Sequence, residues 1–375
     1  MRSDLDDRVH RRLLDAADDE LLHDGALTEL VRAEDPLLDA AAVAGVVGRM
    51  RARMVGAGPI EPLLADPEVT DVLVNGPGPV WVERAGRLER SEVALDAAAI
   101  DLLVERVVAR LGLRADRANP VVDARLPDGS RVHVVLPPLA VDGPYVAIRR
   151  FAAATLPLSR FCEPPVAELL AQAVVDGRNV VVCGGTGAGK TTFLNALCRH
   201  VPAGERVVTV EDAAELRLPG EHVVRLEARP ATPDGLPAVT VRDLLRAALR
   251  MRPDRLVVGE VRGGEALDLL QALHTGHDGS LSTCHANSPV DGLRRLETLC
   301  LMGGLDLPLP AVREQLASGL DLVVQVARGL AGTRRVVAVE EVDLDPASAA
   351  RTIPLVHHDL VLTTPTRPAR RRSAA

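Results

Sequence analysis

The sequence predicts an α/β protein: a mostly parallel, doubly wound sheet, preceded by a smaller α+β domain and a short helical appendage. Three observations carry this expectation. Beyond residue 165, short apolar runs alternate with stretches of helical period, the pattern of strands joined by crossover helices. Between residues 58 and 150, period-two runs are broken by Gly-bearing turns such as Asn75-Gly76 and Asp128-Gly129. Up to residue 57, apolar residues recur at helical spacing only.

In chain order, residues 3–24 read as a helix, with Ser3 and Asp6 resembling a capping box and Leu5, Val9, Leu13, Ala17 and Leu21 on one stripe. Asp35-Pro36 reads as a cap followed by a first-turn proline, opening a second helix through Val43, Val47, Met50 and Met54. These make an appendage over 1–57. The α+β domain over 58–150 holds VTDVLVN, PVWVER, a helix near Asp96–Leu111, VVDARL, SRVHVVL and PYVAIRR. The Pro-containing stretch 151–165 reads as a linker. The second domain, 166–345, runs NVVVCGG, a helix from Lys190, RVVTVED, a helix over Thr240–Met251, RLVVGEV, a helix over Gly264–His274, and GSLSTCH. The remainder, 346–375, ends in TPTRPARRRSAA and reads as a partly disordered tail. No internal repeat stands out.

Composition narrows the function classes. Apolar residues reach 47% but aromatics only 1%, so the cores are built from Leu, Val and Ala, and stacking platforms for single-stranded bases are missing. The formal net charge is −8, which argues against a nucleic-acid binder. Five scattered cysteines form no CxxC pair, so neither a zinc site nor a disulfide framework is legible, and a reducing cytosol is the matching compartment. The charged N-terminus lacks the apolar core of a signal peptide, and no uncharged run approaches the ~20 residues of a membrane span.

Of 44 basic residues, 43 are Arg; Lys190 is the single Lys. It falls inside Gly184-Gly185-Thr186-Gly187-Ala188-Gly189-Lys190-Thr191, a match to G-x-x-x-x-G-K-[ST]. Glycines let backbone N–H groups converge on phosphate oxygens at a helix N-terminus. A compact ammonium on a flexible stem reaches the β- and γ-phosphates, and the Thr191 hydroxyl suits Mg²⁺. The apolar run VVVC before the loop and FLNALC after it supply the strand–loop–helix context. ATP with Mg²⁺ is the expected ligand pair.

Two acidic strand ends accompany the loop. Leu256-Val257-Val258-Gly259-Glu260-Val261 ends in a Glu that could hold the metal shell or polarise water. Glu211-Asp212 ends RVVTV, where the alternative is a simple helix cap. His277 and His285 flank a short strand; one could sense the γ-phosphate, although single histidines are more often structural.

Together, GGTGAGKTT, TVEDAAEL, RMRPDRLVVGEVRGGEALDLLQALHTGHDGSLSTCHANS and SRVHVVLPPLAVDGPYVAIRRF resemble the type II/IV secretion ATPase superfamily, and within it the CpaF-like branch of the tight-adherence (Flp) pilus system. The resemblance spans roughly 55 to 345. It implies a RecA-like motor domain behind an N-terminal α+β domain, a homohexameric ring, and polytopic inner-membrane platform proteins as partners at the inner face of the cytoplasmic membrane. It implies that Gly184, Gly185, Thr186, Gly187, Ala188, Gly189, Lys190, Thr191 and Thr192 bind the nucleotide, that Glu211 is the general base, that Glu260 is the Walker-B carboxylate with Thr191 on the metal, and that His277 and His285 form a histidine box. Arg125, Arg131, Arg149 and Arg150 are the candidates for capping the phosphates; Arg242, Arg250 and Arg262 are weaker candidates for sensor or interface roles. The tetracysteine zinc insertion of some branches is absent, which favours the CpaF-like or conjugation-type branches. Three readings follow: an ATP-driven motor, a nucleotide-binding regulator or scaffold with little turnover, and a DNA-translocating ATPase. No LSGGQ-like signature supports a transporter.

Overall fold

The computed structural model describes residues 24–54, 57–84, 86–109, 113–126, 128–150, 156–231, 235–304, 307–329, 332–343 and 351–370, with residues 5, 8, 9 and 11–13 besides. The chain divides into two units, Met1–Ala152 and Ala153–Ala375.

In the first unit, helices α1 (Asp24–Glu34) and α2 (Ala40–Met54) bury Leu27, Val31, Val43, Val46 and Met50 in a small core of their own. The expected helix over 3–24 lies mostly outside the described residues. The second helix starts later than Asp35-Pro36, because Asp35 turns its carboxylate onto the Leu37 N–H (3.2 Å) and closes a turn, while Asp39 accepts from the Ala42 N–H (2.7 Å). A short helix α3 (Glu61–Ala65) leads into an antiparallel sheet. Its strands are β1 (Val69–Asn75), β2 (Gly78–Arg84), β3 (Arg87–Leu95), β4 (Val121–Arg125), β5 (Arg131–Val135) and β6 (Tyr145–Arg149), in the order β3-β2-β1-β6-β5-β4. Alternation puts Val72, Val74, Val82, Val132, Val134, Val146 and Ile148 on one face, packed with Ile100, Leu103 and Val107 of α4 (Ala97–Ala109).

The second unit is the doubly wound domain. Nine strands follow the order β15-β14-β13-β12-β7-β11-β10-β8-β9. Six are mutually parallel: β7 (Val180–Gly184), β8 (Val207–Glu211), β9 (Val223–Glu227), β10 (Arg255–Val261), β11 (Leu281–His285) and β12 (Leu322–Arg328). β13 (Arg334–Val342), β14 (Thr352–His357) and β15 (Leu360–Val361) extend it antiparallel. Helices cover both faces, so each strand feeds two cores. Val181, Cys183, Val210 and Val258 face α7 (Val241–Ala248), α8 (Glu265–His274), α9 (Pro289–Leu301) and α10 (Leu309–Gly319). Val180, Val182, Val207 and Val257 face α5 (Pro164–Val175) and α6 (Lys190–Cys198).

Two segments at the edges of this unit pack into it. Residues 151–155 of the expected linker lie outside the described residues, but Phe161 is buried with its ring 5.2 Å from that of Phe193, and its carbonyl accepts from the Val336 N–H. The tail is not solvated over 351–370. β14 and β15 complete the sheet, and Arg367 is buried with its guanidinium on the Leu320 and Ala317 carbonyls and on Asp321. Arginine's many donors let a Pro/Arg-rich segment saturate buried acceptors, which composition alone does not reveal.

Candidate functional site

The site gathers at the carboxyl ends of the parallel strands, where β7 runs into α6. β7 is buried along its whole length and stops at Gly184, where a β-carbon would strike the Val326 carbonyl. Gly187 (φ +71°) and Gly189 (φ +87°) take left-handed conformations that let the chain curl back to start α6 at Lys190. Ala188 is buried under the loop, Gly185 is half-buried, and Thr186 is exposed at its outer rim. The Lys190 ammonium lies inside the curl and donates to the carbonyls of Gly184 (3.1 Å) and Gly185 (3.2 Å). Thr191 and Thr192 occupy the first turn of the helix, half-buried.

Neighbouring strand ends bring in the acids. Glu211 ends β8 and is 2% exposed. Its Oε1 accepts from the N–H groups of Glu215 and Leu216 (3.0 Å each), while Oε2 is buried with no partner. Burial pushes its pKa up to about 7 against the opposing pull of those two N–H groups. On β10 the pairing with β11 slips between Val258 and Val261, a bulge that re-aims Glu260 outward from a buried strand. The Glu260 carboxylate meets Arg262 (2.6 Å), whose other arm reaches Asp212 (3.2 Å). Arg262 thereby joins the acidic ends of β8 and β10.

His285 ends β11 directly beside Gly184 in the ladder, exposed next to the loop. His277 is elsewhere: it precedes β11, at the opposite end of that strand, with Nδ1 on the Ala272 carbonyl (3.1 Å). The two histidines do not form one box, because a full strand separates them. Arg242 is held by Asp268 (2.5 Å), a contact that ties α7 to α8, and Arg250 is exposed after α7.

In the first unit, Arg125, Arg131 and Arg149 are register partners on β4, β5 and β6, so they line up in one row on the face opposite the buried valines. Arg149 pairs with Asp71 (2.9 Å) at the end of that row. Arg150 turns the other way, onto the Asp66 and Val69 carbonyls, in a structural role.

Sequence reasoning missed Arg328 and Arg334, cross-strand partners on the β12–β13 hairpin. Their side chains lie against Gly187 and Gly189 of the loop. No local motif marks them; only the pairing of β12 with β7 brings them there. Among the described residues no group of three or more His, Cys, Asp or Glu side chains could hold a metal ion, and the five cysteines are free and buried. Oxygen ligands for a hard cation would have to come from fewer protein groups together with phosphate, the usual arrangement for Mg²⁺.

A glycine loop between a buried strand end and a helix N-terminus, with carboxylates at two adjacent strand ends, defines a P-loop ATPase. Residues 53–355 match the family model described as "Type II/IV secretion system protein". A Mycobacterium tuberculosis protein described as a conjugal transfer protein is 44% identical over 302 residues, covering 77% of this chain and 85% of that protein. The type IV secretion system protein VirB11 of Brucella suis is 35% identical over 335 residues, covering 80% and 92%. Among solved structures, the ATPase DotB of Legionella pneumophila shares the fold (TM-score 0.54, 21% identity, 74% of this chain and 78% of that one). The chain belongs to the type II/IV secretion ATPase family, and its second unit has the RecA-like fold of that family.

Proposed function

We propose that this chain is an ATP-driven motor of a type II/IV secretion-class machine, working as a homohexamer against polytopic inner-membrane platform proteins. The phosphate loop, residues 184–192, binds the nucleotide. Lys190 leaves its carbonyl partners for the β- and γ-phosphates, and Glu211 takes the proton of the attacking water. The Thr191 hydroxyl and Glu260 would hold Mg²⁺, which when bound neutralises charge on the phosphates. Their fit rests on the bulge that turns Glu260 out of the sheet at the edge where α6 begins. His285 reads the terminal phosphate beside Gly184. Arg125, Arg131 and Arg149 remain candidates for phosphate binding by the resemblance of their segment to the family's motifs, with Arg149 already paired with Asp71.

The observation that carries this reading is Glu211. A buried carboxylate with one oxygen unsatisfied weakens the fold, and its pKa of about 7 is that of a poised base. A scaffold that merely bound nucleotide would have no use for that cost. The decisive experiment is turnover by the purified protein: Lys190→Ala should lose ATP hydrolysis, and wild-type turnover in that variant would refute the site.

Resemblance of the motifs supports a Flp-type pilus motor. The names of the relatives, conjugal transfer and type IV secretion, favour a second reading in which the same motor powers export. Deleting the gene separates them: surface fibres vanish in the first case, and protein or DNA transfer stops in the second. Among the described residues no helix is long and apolar enough to cross a membrane; attachment at the inner face of the membrane is part of the proposal.

A further inference from the structure

We infer that Arg334, assisted by Arg328, is a nucleotide-contacting arginine supplied by the same subunit, its guanidinium holding the polyphosphate of bound ADP or ATP. The inference rests on the nucleotide-binding reading above and adds residues from a hairpin distant in sequence from the loop. A β-carbon on Gly189 would lie 2.5 Å from Arg334 Cδ and 3.2 Å from its Nε, so this side chain lies flat on the loop where α6 begins. A β-carbon on Gly187 would lie 3.3 Å from Arg328 Nη1. Both left-handed glycines of the loop thus carry an arginine against the face from which a side chain is missing.

The placement is built rather than incidental. β12 pairs with β7 through Gln325 and continues past the strand end, and Arg328 and Arg334 face each other where the hairpin is pinned by the Gly329 N–H on the Thr333 carbonyl (2.8 Å). The adjacent Arg335 points away and is taken up by Asp359 (3.1 Å) and Glu163 (3.6 Å). Among the described residues, the Arg334 guanidinium has no hydrogen-bond or ion-pair partner. It lies instead over Gly189, the residue that caps α6, at the positive end of that helix's dipole, where an anion is stabilised. A planar guanidinium offers paired donors for phosphate oxygens, which a second Lys would not.

The test is calorimetric titration of ADP and ATP into the full chain as wild type, Arg334→Gln, Arg334→Lys and Arg328→Gln, with the unliganded melting temperature of each. The inference expects Arg334→Gln to bind both nucleotides about ten- to a hundredfold more weakly, Arg334→Lys to recover part of the loss, Arg328→Gln to show a smaller loss, and the unliganded melting temperature to hold or rise. Wild-type affinity in Arg334→Gln overturns it. So does an equal loss in the Gln and Lys variants together with a lower melting temperature, which would make the residue structural. If wild type itself binds no nucleotide, the nucleotide-binding reading falls first and this one with it.

Discussion

The side chain of Glu211 fills the space that a β-carbon on Gly259 would claim: that atom would lie 2.8 Å from Glu211 Cγ and 3.2 Å from Oε1. The strand before Glu260 carries glycine because its neighbour's carboxylate passes across it. Gly259 is further fixed by the Thr283 hydroxyl, which donates to its carbonyl (2.7 Å). Gly259→Ala should therefore push Glu211 off its two backbone N–H donors. Displacement of a catalytic group by about 1 Å costs on the order of 10²-fold. Steady-state kinetics should show that loss in kcat, with nucleotide affinity close to wild type.

Glu211 sets a pH dependence whose sign can be worked out. In an unfolded chain a glutamate titrates near its ordinary value of about 4.3; buried here it titrates at about 7. Between these values the folded state holds the extra proton, so stability falls as pH rises through the window and levels off above it. Glu211→Gln keeps an oxygen for the Glu215 and Leu216 N–H groups and removes the titration. Its advantage in stability over wild type should grow from pH 5 to pH 8, reaching about 3 kcal/mol at most. Denaturant melts at the two pH values check it. Wild-type kcat should rise through about pH 7 as the base deprotonates.

Arg262 competes for Glu260, the acid proposed to hold the metal ion. Its guanidinium holds Glu260 and Asp212 together, and Glu260 in turn raises the pKa of Arg262 through their hydrogen bond. Arg262→Met should free Glu260, lowering the Mg²⁺ concentration for half-maximal ATPase activity several-fold. A Mg²⁺ titration at fixed ATP reads this directly.

The C-terminal segment should behave as part of the second unit. Glu341 is 1% exposed and accepts from the N–H groups of Thr366 and Arg367, while Asp321 is answered by Arg367 and Arg370. Arg367→Ala strips a cation from buried acceptors, a loss of about 3–5 kcal/mol. The melting temperature should fall by about 10 °C.

The phosphate loop was legible because its chemistry is local: glycines for left-handed turns, one ammonium, one hydroxyl, all within nine positions. Glu211 was legible as an acid at a strand end, but its burial depends on Gly259 across the ladder. The pairing of Arg262 with Glu260 depends on a bulge that no hydrophobic pattern announces. His277 and His285 looked alike in sequence, yet strand direction sends them to opposite ends of β11. Arg328 and Arg334 were invisible for the same kind of reason, since strand order, not spacing, brings β12 beside β7. The docking of residues 351–370 is not legible in sequence because a Pro- and Arg-rich composition suits both a solvated tail and one that saturates buried carboxylates.

The central claim is that Glu211 is the base acting on nucleotide held by Lys190. It is tested most directly by a single-turnover experiment with Glu211→Gln, loading ATP with Mg²⁺ and quantifying bound ATP and ADP over time. The account predicts binding at wild-type affinity with nucleotide retained as ATP, and hydrolysis slowed by at least about 10²-fold. Conversion to ADP at the wild-type rate would contradict it.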